Sequence, residues 1–528
     1  MDTAEIDIHQ ASLPTLDRLK VSLAPDAEID APQIARDWLV AFATHAAAAD
    51  VPALLSLFLP DAFWRDMLSL TWDFRTFYGA ARLATFLRDR LPPTQITRVT
   101  VDPTQIPVLQ RPYPDIAWIQ ALFTFDTAVG PASGIVRLVP TSEGAWKAHA
   151  VFTTLEGLHG HPERLGPLRA QAPSHGKWEE QRRREIECEG EDQQPKVLVV
   201  GGGQCGLDIA ARLKYLGIKT LVVDKEARVG QMWRKRYEAL CLHDPVWYDH
   251  MPYLPFPPTW PVYTPAQKMA DWLEHYAHDL ELDIWTSTTV TDARQDPETL
   301  KWTVTLEREV PPPQGTEPGD RKRVKRTFVV NHLVFAVGMG GGSLNIPKYP
   351  GMDEYKGKIV HSGAFTTGRD YVGKKVVVVG ACTSDVTMFQ RGSTYVVSAR
   401  RGFGDRLIGG ASPLGLYHEG GPLADVADRI NASFPHYFLK LVHQRIVKDI
   451  AATTDKETLD GLRRIGFRLN YGIDGSGFLL LAWGKAGGYY LGEIHGAWRD
   501  MGVPRLYCMM EIKAIEEGIF DGTRYSLE

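Results

Sequence analysis

Apolar residues fall at helical spacing in Ile34-Ala35-Arg36-Asp37-Trp38-Leu39-Val40-Ala41-Phe42, and the pattern resumes after a short break over 51–58. Ala62-Phe63-Trp64-Arg65-Asp66 then precedes Gly79, and a further helical stretch covers 80–91. Apolar runs at 116–125, 134–139 and 146–152 predict strands. Helices first and a curved sheet afterwards predict an α+β domain over residues 1–160. Between 160 and 195 the chain turns to Arg, Glu, Gln, Pro and Gly. A linker is expected over 161–195, with one surface helix near 178–186.

The pattern then changes period. The short β-branched run Lys196-Val197-Leu198-Val199-Val200 leads straight into Gly201-Gly202-Gly203-Gln204-Cys205-Gly206, and Leu207-Asp208-Ile209-Ala210-Ala211-Arg212-Leu213 opens a helix. In such a turn Gly201 allows the tight reversal, Gly203 lets the backbone approach a pyrophosphate, and Gly206 lets the helix close on the strand. The phosphates then face free N–H groups at a helix N-terminus. A second strand, Lys219-Thr220-Leu221-Val222-Val223, ends in Asp224, where a carboxylate takes a ribose hydroxyl. That context favours dinucleotide binding over a glycine-rich turn without function.

An echo follows: Lys375-Val376-Val377-Val378-Val379-Gly380 repeats the first opening, so two dinucleotides are expected, one tightly held and one exchanging. Between the two openings, 302–308 and 324–330 read as hairpin strands joined by a Pro/Gly-rich loop over 311–319. The basic run Arg321-Lys322-Arg323-Val324-Lys325-Arg326 reads as a solvated strand start. The fold class is therefore multidomain, α+β followed by α/β.

Composition narrows the partners. The chain has 528 residues and a net charge of −5, a balance that argues against nucleic acid as the main partner. No apolar run reaches membrane-spanning length, and Met1-Asp2-Thr3-Ala4-Glu5 lacks the features of a signal peptide. Five scattered cysteines without a CxxC pair fit a reducing compartment, so a cytoplasmic location is expected. His159 and His161 have no further ligands nearby, and no metal site is expected.

Further motifs name the chemistry. Gly230-Gln231-Met232-Trp233-Arg234 follows Asp224. Then come His243-Asp244-Pro245, Tyr248-Asp249-His250-Met251-Pro252 and the stiff segment Leu254-Pro255-Phe256-Pro257-Pro258-Thr259-Trp260-Pro261. A proline-rich segment can wall an active site with little loss of chain entropy. His332-Leu333-Val334-Phe335-Ala336-Val337-Gly338 reads as a buried strand ending in glycine, with Pro347 nine residues on. Tyr355-Lys356-Gly357-Lys358-Ile359-Val360-His361-Ser362-Gly363-Ala364-Phe365 fits FxGxxxHxxx(F/Y), with Tyr at the first aromatic position. His361 is read as a core or hairpin histidine, and since adjacent side chains seldom face one another, His243-Asp244 is not read as a catalytic pair.

This combination resembles the flavin-containing monooxygenases, including YUCCA-like and fungal members with an extra N-terminal domain. The resemblance implies FAD held by Gly201, Gly203, Gln204, Cys205, Gly206, Asp224, Lys225, Trp233, His243 and Gly338. It implies NADPH at Gly380, Thr383, Ser384 and Arg391, and it assigns no catalytic side chain. Reduced flavin would capture O2 as a C4a-hydroperoxide and pass one oxygen atom to nitrogen, sulfur or a keto acid. The implied domains are FAD-binding over 196–373, NAD(P)-binding over 374–490, and a return to the FAD domain over 491–528. The first 160 residues resemble the NTF2-like (SnoaL-like) cone, with Leu57, Trp64, Asp66 and Thr76-Phe77-Tyr78-Gly79 lining it. Trp64, Arg65 and Asp66 then form either a ligand pocket or, by the preferred reading, a packing Trp beside a buried ion pair. Pairing of two such domains through their sheets would give a homodimer.

The second opening departs from the pattern. Gly380-Ala381-Cys382-Thr383-Ser384 has Cys at the middle glycine, and Asp385-Val386-Thr387-Met388-Phe389-Gln390-Arg391 reads as the next strand. A parallel crossover needs a dozen or more residues, so a hairpin or kink is expected here and the NADPH helix is missing. Arg391, the cation expected for a 2′-phosphate, arrives early. Together with the short C-terminal part, this suggests at least three internal excisions. The alternative function is an FAD-binding or interaction protein that has lost productive NADPH binding. A flavin disulfide reductase would need a redox Cys pair, which the lone Cys382 and Cys508 do not supply.

Overall fold

The computed structural model describes residues 11–310, 322–338, 346–379, 387–389, 392–410, 412, 415–464, 466–485, 487–491 and 506–507. The chain divides into two compact units, Met1–His161 with Lys375–Glu528, and Pro162–Lys374.

The first unit begins with α1 (Leu16–Leu19), α2 (Ala31–Ala47) and α3 (Val51–Ser56). Asp30 and Asp50 cap α2 and α3, accepting from Gln33 N at 2.9 Å and Ala53 N at 3.1 Å. Next come β1 (Phe58–Met67), β2 (Phe74–Tyr78), α4 (Ala80–Thr94), β3 (Thr97–Val101), β4 (Val108–Tyr113), β5 (Ile116–Asp126), β6 (Pro131–Pro140) and β7 (Trp146–Leu155). They form one sheet of order β2-β1-β7-β6-β5-β3, with β4 also on β5 and only β1–β7 parallel. One face packs on the helices through Trp38, Phe42, Phe58, Trp64, Phe86 and Phe123.

Two expectations change here. The helical run over 51–58 stops at Ser56, and the first strand starts before α4, so the helices do not all precede the sheet. β1 is buried on both faces and broken by a register shift between Phe58 and Phe63, which erases the alternation that marks a strand. Second, Asp66 makes no ion pair with Arg65, its neighbour on the opposite face of β1. Its carboxylate accepts instead from Ser69 Oγ at 2.5 Å, Thr71 Oγ1 at 2.8 Å and Thr153 Oγ1 at 2.7 Å. Trp64 is fully buried and donates to Thr153 Oγ1 at 3.0 Å, so it is a packing residue.

The second unit opens with α5 (Trp178–Ile186), β8 (Val197–Val200), α6 (Gln204–Tyr215), β9 (Thr220–Val223) and α7 (Gln231–Arg234). It continues with α8 (Ala266–Asp279), β10 (Ile284–Trp285), β11 (Thr288–Gln295), β12 (Trp302–Val310), β13 (Lys322–Val330) and β14 (His332–Phe335). A parallel sheet of order β10-β9-β8-β14 forms its centre, with β8 flanked on both sides. The antiparallel sheet β11-β12-β13 is inserted before β14. Leu207, Ala210 and Ala211 of α6 bury against Val197, Val199 and Val222, the βαβ packing expected of strands this apolar.

The chain then adds β15 (Val377–Val379), β16 (Thr387–Phe389) and β17 (Tyr395–Val397), followed by a π-helical stretch Ala399–Ile408. The last elements are α9 (Ala424–Ala432), α10 (His436–Ala452), α11 (Lys456–Arg464), α12 (Phe478–Lys485), β18 (Tyr489–Leu491) and β19 (Leu506–Tyr507). β15 and β16 pair in parallel, Val377 opposite Thr387, which corrects the expected hairpin. Both strands are apolar or β-branched without alternation, the composition of a parallel sheet. The residues 380–386 between them lie outside the described residues. Segments 1–160 and 374–490, read from sequence as separate domains, share a core: Phe438 of α10 is buried against Trp118 of β5 and His149 of β7.

Candidate dinucleotide site

The site is built where β8 ends. Gly201 has φ +109°, and a Cβ there would fall 2.3 Å from the carbonyl oxygen of Ala336, just past β14. At Gly206, in the first turn of α6, a Cβ would lie 1.9 Å from the Gly201 carbonyl. Helix, turn and strand end thus meet at a separation only glycine permits. Gly203 differs: a Cβ there would meet nothing within 4 Å, and this residue caps α6 without a side-chain hydrogen bond. The helix N-terminus therefore presents free N–H groups beside open space, which fits a pyrophosphate.

Asp224, directly after β9, faces the same turn. Its Oδ2 accepts from Gly202 N at 2.6 Å and its Oδ1 from Glu226 N at 2.8 Å. Each oxygen retains acceptor capacity for a ribose hydroxyl. Gln204 and Trp233 are joined, the indole Nε1 donating to Gln204 Oε1 at 3.2 Å. Gly230 sets the start of α7 at φ +77°, where a Cβ would meet the Ala270 carbonyl of α8 at 2.3 Å. Cys205 and Lys225 are exposed beside these groups, and Gly338 is exposed at φ +75° past β14.

His243 stands on a separate segment, the irregular 241–265 loop. Contrary to the sequence reading, it does face its neighbour: Nε2 lies 3.6 Å from Asp244 Oδ2. The proline-rich part of that loop folds on an aromatic cluster, with Phe256 stacked on Trp260 at 4.9 Å and Trp272 of α8 edge-on to Trp260 at 5.3 Å. His361 takes a local role, its Nδ1 accepting from Gly363 N at 3.0 Å. The end of that motif docks behind α7, where Glu238 N donates to the Thr366 carbonyl at 2.8 Å. Gly380, Thr383, Ser384 and Arg391 lie outside the described residues.

Sequence reasoning missed two carboxyl groups. Burial pushes the Asp208 carboxyl of α6 up to about 6, against the pull of Arg212 and His250. Burial, and then the charge of Asp244, pushes Asp249 up to about 7. Asp244 is itself raised by burial, opposed by His243. A line of titratable groups thus runs from α6 through His250 into the loop. The available signal was an acid interrupting the apolar stripe Leu207, Ala210, Ala211.

Residues 248–403 match the flavin-binding monooxygenase-like family. The chain is 32% identical over 190 residues to the indole-3-pyruvate monooxygenase YUCCA6 of Arabidopsis thaliana, covering 35% of this chain and 42% of that one. It is 29% identical over 191 residues to the indole-3-pyruvate monooxygenase YUCCA4 of Oryza sativa subsp. japonica, covering 36% and 43%. The match thus spans less than half the length of these curated relatives. Among solved structures, a flavin-containing monooxygenase from Stenotrophomonas maltophilia aligns at 20% identity over 38% of this chain and 59% of that one, with a TM-score of 0.32.

Proposed function

We propose, for a chain whose middle matches the flavin-binding monooxygenases, an FAD-dependent, NADPH-using monooxygenase. It inserts one oxygen atom from O2 into a small organic substrate, at nitrogen, at sulfur or in a keto acid. The observation that carries this reading is the Gly201–Gly206 turn, closed on Ala336 and held by Asp224, with open space at Gly203. The match over 248–403 supports flavin monooxygenase chemistry among the uses of such a turn.

Bound FAD would supply electron transfer and the activation of O2. The protein supplies the rest. The α6 N-terminus binds the pyrophosphate, Asp224 takes the ribose, and Gln204 with Trp233 forms a wall at the turn. The aromatic cluster of Phe256, Trp260 and Trp272 would limit water access from the 241–265 loop side. Asp249, pushed up to about 7, shares a proton with solvent near neutral pH, and Asp208, pushed up to about 6, takes one up on the acid side of neutral. NADPH belongs with the second opening, at Gly380, Thr383, Ser384 and Arg391.

The NTF2-like character of the first 160 residues, the internal excisions and a cytoplasmic location belong to the same reading. Among the described residues no helix is long and apolar enough to cross a membrane. A homodimer through the first sheet would have to displace α9 and α10, which cover its outer face at Trp118 and Arg137.

One observation favours a second reading. Only seven residues, 380–386, separate β15 from β16, fewer than a crossover helix takes. The chain would then bind FAD without using NADPH productively. NADPH oxidation by the purified, flavin-loaded protein separates the two: turnover supports the monooxygenase, and its absence with FAD bound supports the second reading.

A further inference from the structure

The outer face of the first sheet carries a charge for which the described residues offer no carboxylate partner. Arg137 of β6 is 1% exposed. Its Nη2 donates to Gln120 Oε1 at 2.9 Å and to Ser433 Oγ at 2.8 Å. Its Nε and Nη1 have no hydrogen-bond partner among the described residues. Burial pushes the guanidinium down to about 9, so it stays charged at neutral pH.

His149 joins it on this face. The register of β6 and β7 shifts between Arg137 and Leu138, paired with Ala150 and Ala148, and the extra residue is His149. Its ring nitrogens also lack partners among the described residues, and burial pushes it down to about 4, so it is neutral. Asp61, the carboxylate among the described residues that acts on His149, is paired with Arg18 at 2.5 Å. An unpaired buried cation is strongly unfavourable unless an anion reaches it.

What covers Arg137 tells what shape that anion has. The turn between α9 and α10 delivers one hydroxyl, Ser433 Oγ, and one aryl ring, Phe434, centred 3.6 Å from the guanidinium carbon. The Trp118 ring is centred 6.0 Å away. The hydroxyl supplies a single neutral acceptor, whereas a carboxylate can take two parallel charge-assisted bonds. We propose that Arg137 anchors a binding site for a small aryl carboxylate, which takes the place of Ser433 and Phe434.

Equilibrium dialysis of the full chain against 2-naphthoate, with neutral 2-naphthalenemethanol as control, tests this. Saturable binding of the carboxylate alone is expected, lost in Arg137→Met. Phe434→Ala removes the competing ring and is expected to tighten binding by about tenfold. The flavin content, read alongside, stays the same in all variants. Equal binding of acid and alcohol overturns the proposal, as does naphthoate binding unchanged in Arg137→Met. Should Arg137→Met fail to fold, Phe434→Ala decides, and no gain over wild type overturns the proposal.

Discussion

The carboxylate of Asp224, at the end of β9, accepts the backbone N–H of Gly202 at 2.6 Å. This bond fixes the glycine turn to the neighbouring strand, so one side chain shapes the turn and, under the proposed function, would also take the ribose. Asp224→Ala removes both functions. FAD affinity is expected to fall by about tenfold to a hundredfold, measured as the flavin-to-protein absorbance ratio during dialysis.

Gly203 and Gly206 separate binding from stability. In Gly206→Ala the new methyl would meet the Gly201 carbonyl at 1.9 Å. A loss of about 1–3 kcal/mol of stability is expected in denaturant titration. In Gly203→Ala the methyl enters open space, and φ −84° suits alanine. Apoprotein stability is expected to hold while FAD binding is lost. Loss of stability in both variants would contradict the cradle.

Asp249 gives a pH dependence of definite sign. Its folded value of about 7 lies above the ordinary carboxylate range of about 3.9, because burial and Asp244 disfavour its charge. The folded protein thus binds the extra proton between those two values, and its stability falls as pH rises through that window. Asp249→Asn is expected to raise the Tm at pH 8 and to leave it nearly unchanged at pH 4, read by thermal denaturation.

In the first unit, Asp66 is a buried carboxylate satisfied by Ser69, Thr71 and Thr153. Asp66→Ala strands those hydroxyls, and a loss of about 3 kcal/mol is expected. Circular dichroism in urea measures it. A loss below about 0.5 kcal/mol, the range of an exposed surface change, would contradict this role.

The dinucleotide turn was legible in sequence because its determinants are local: β8, the glycines and β9 lie within 28 residues, from Lys196 to Val223. Strands β3 and β4 were not, since their exposed and half-buried residues carry no periodic apolar signal. The contact between Arg137 and Ser433 was invisible for another reason, as 296 residues separate the pair and no local pattern encodes their meeting. Asp208 and Asp249 were missed similarly, because it is the loop folding back on α6 that desolvates them.

The most direct test is the visible spectrum of the purified full-length protein, recorded anaerobically before and after NADPH, and again after air is admitted. A yellow protein is expected, whose flavin band bleaches on NADPH and returns in air. A colourless protein that takes up no added FAD contradicts the site at Gly201 to Gly206, and bound flavin that NADPH leaves unbleached contradicts the monooxygenase.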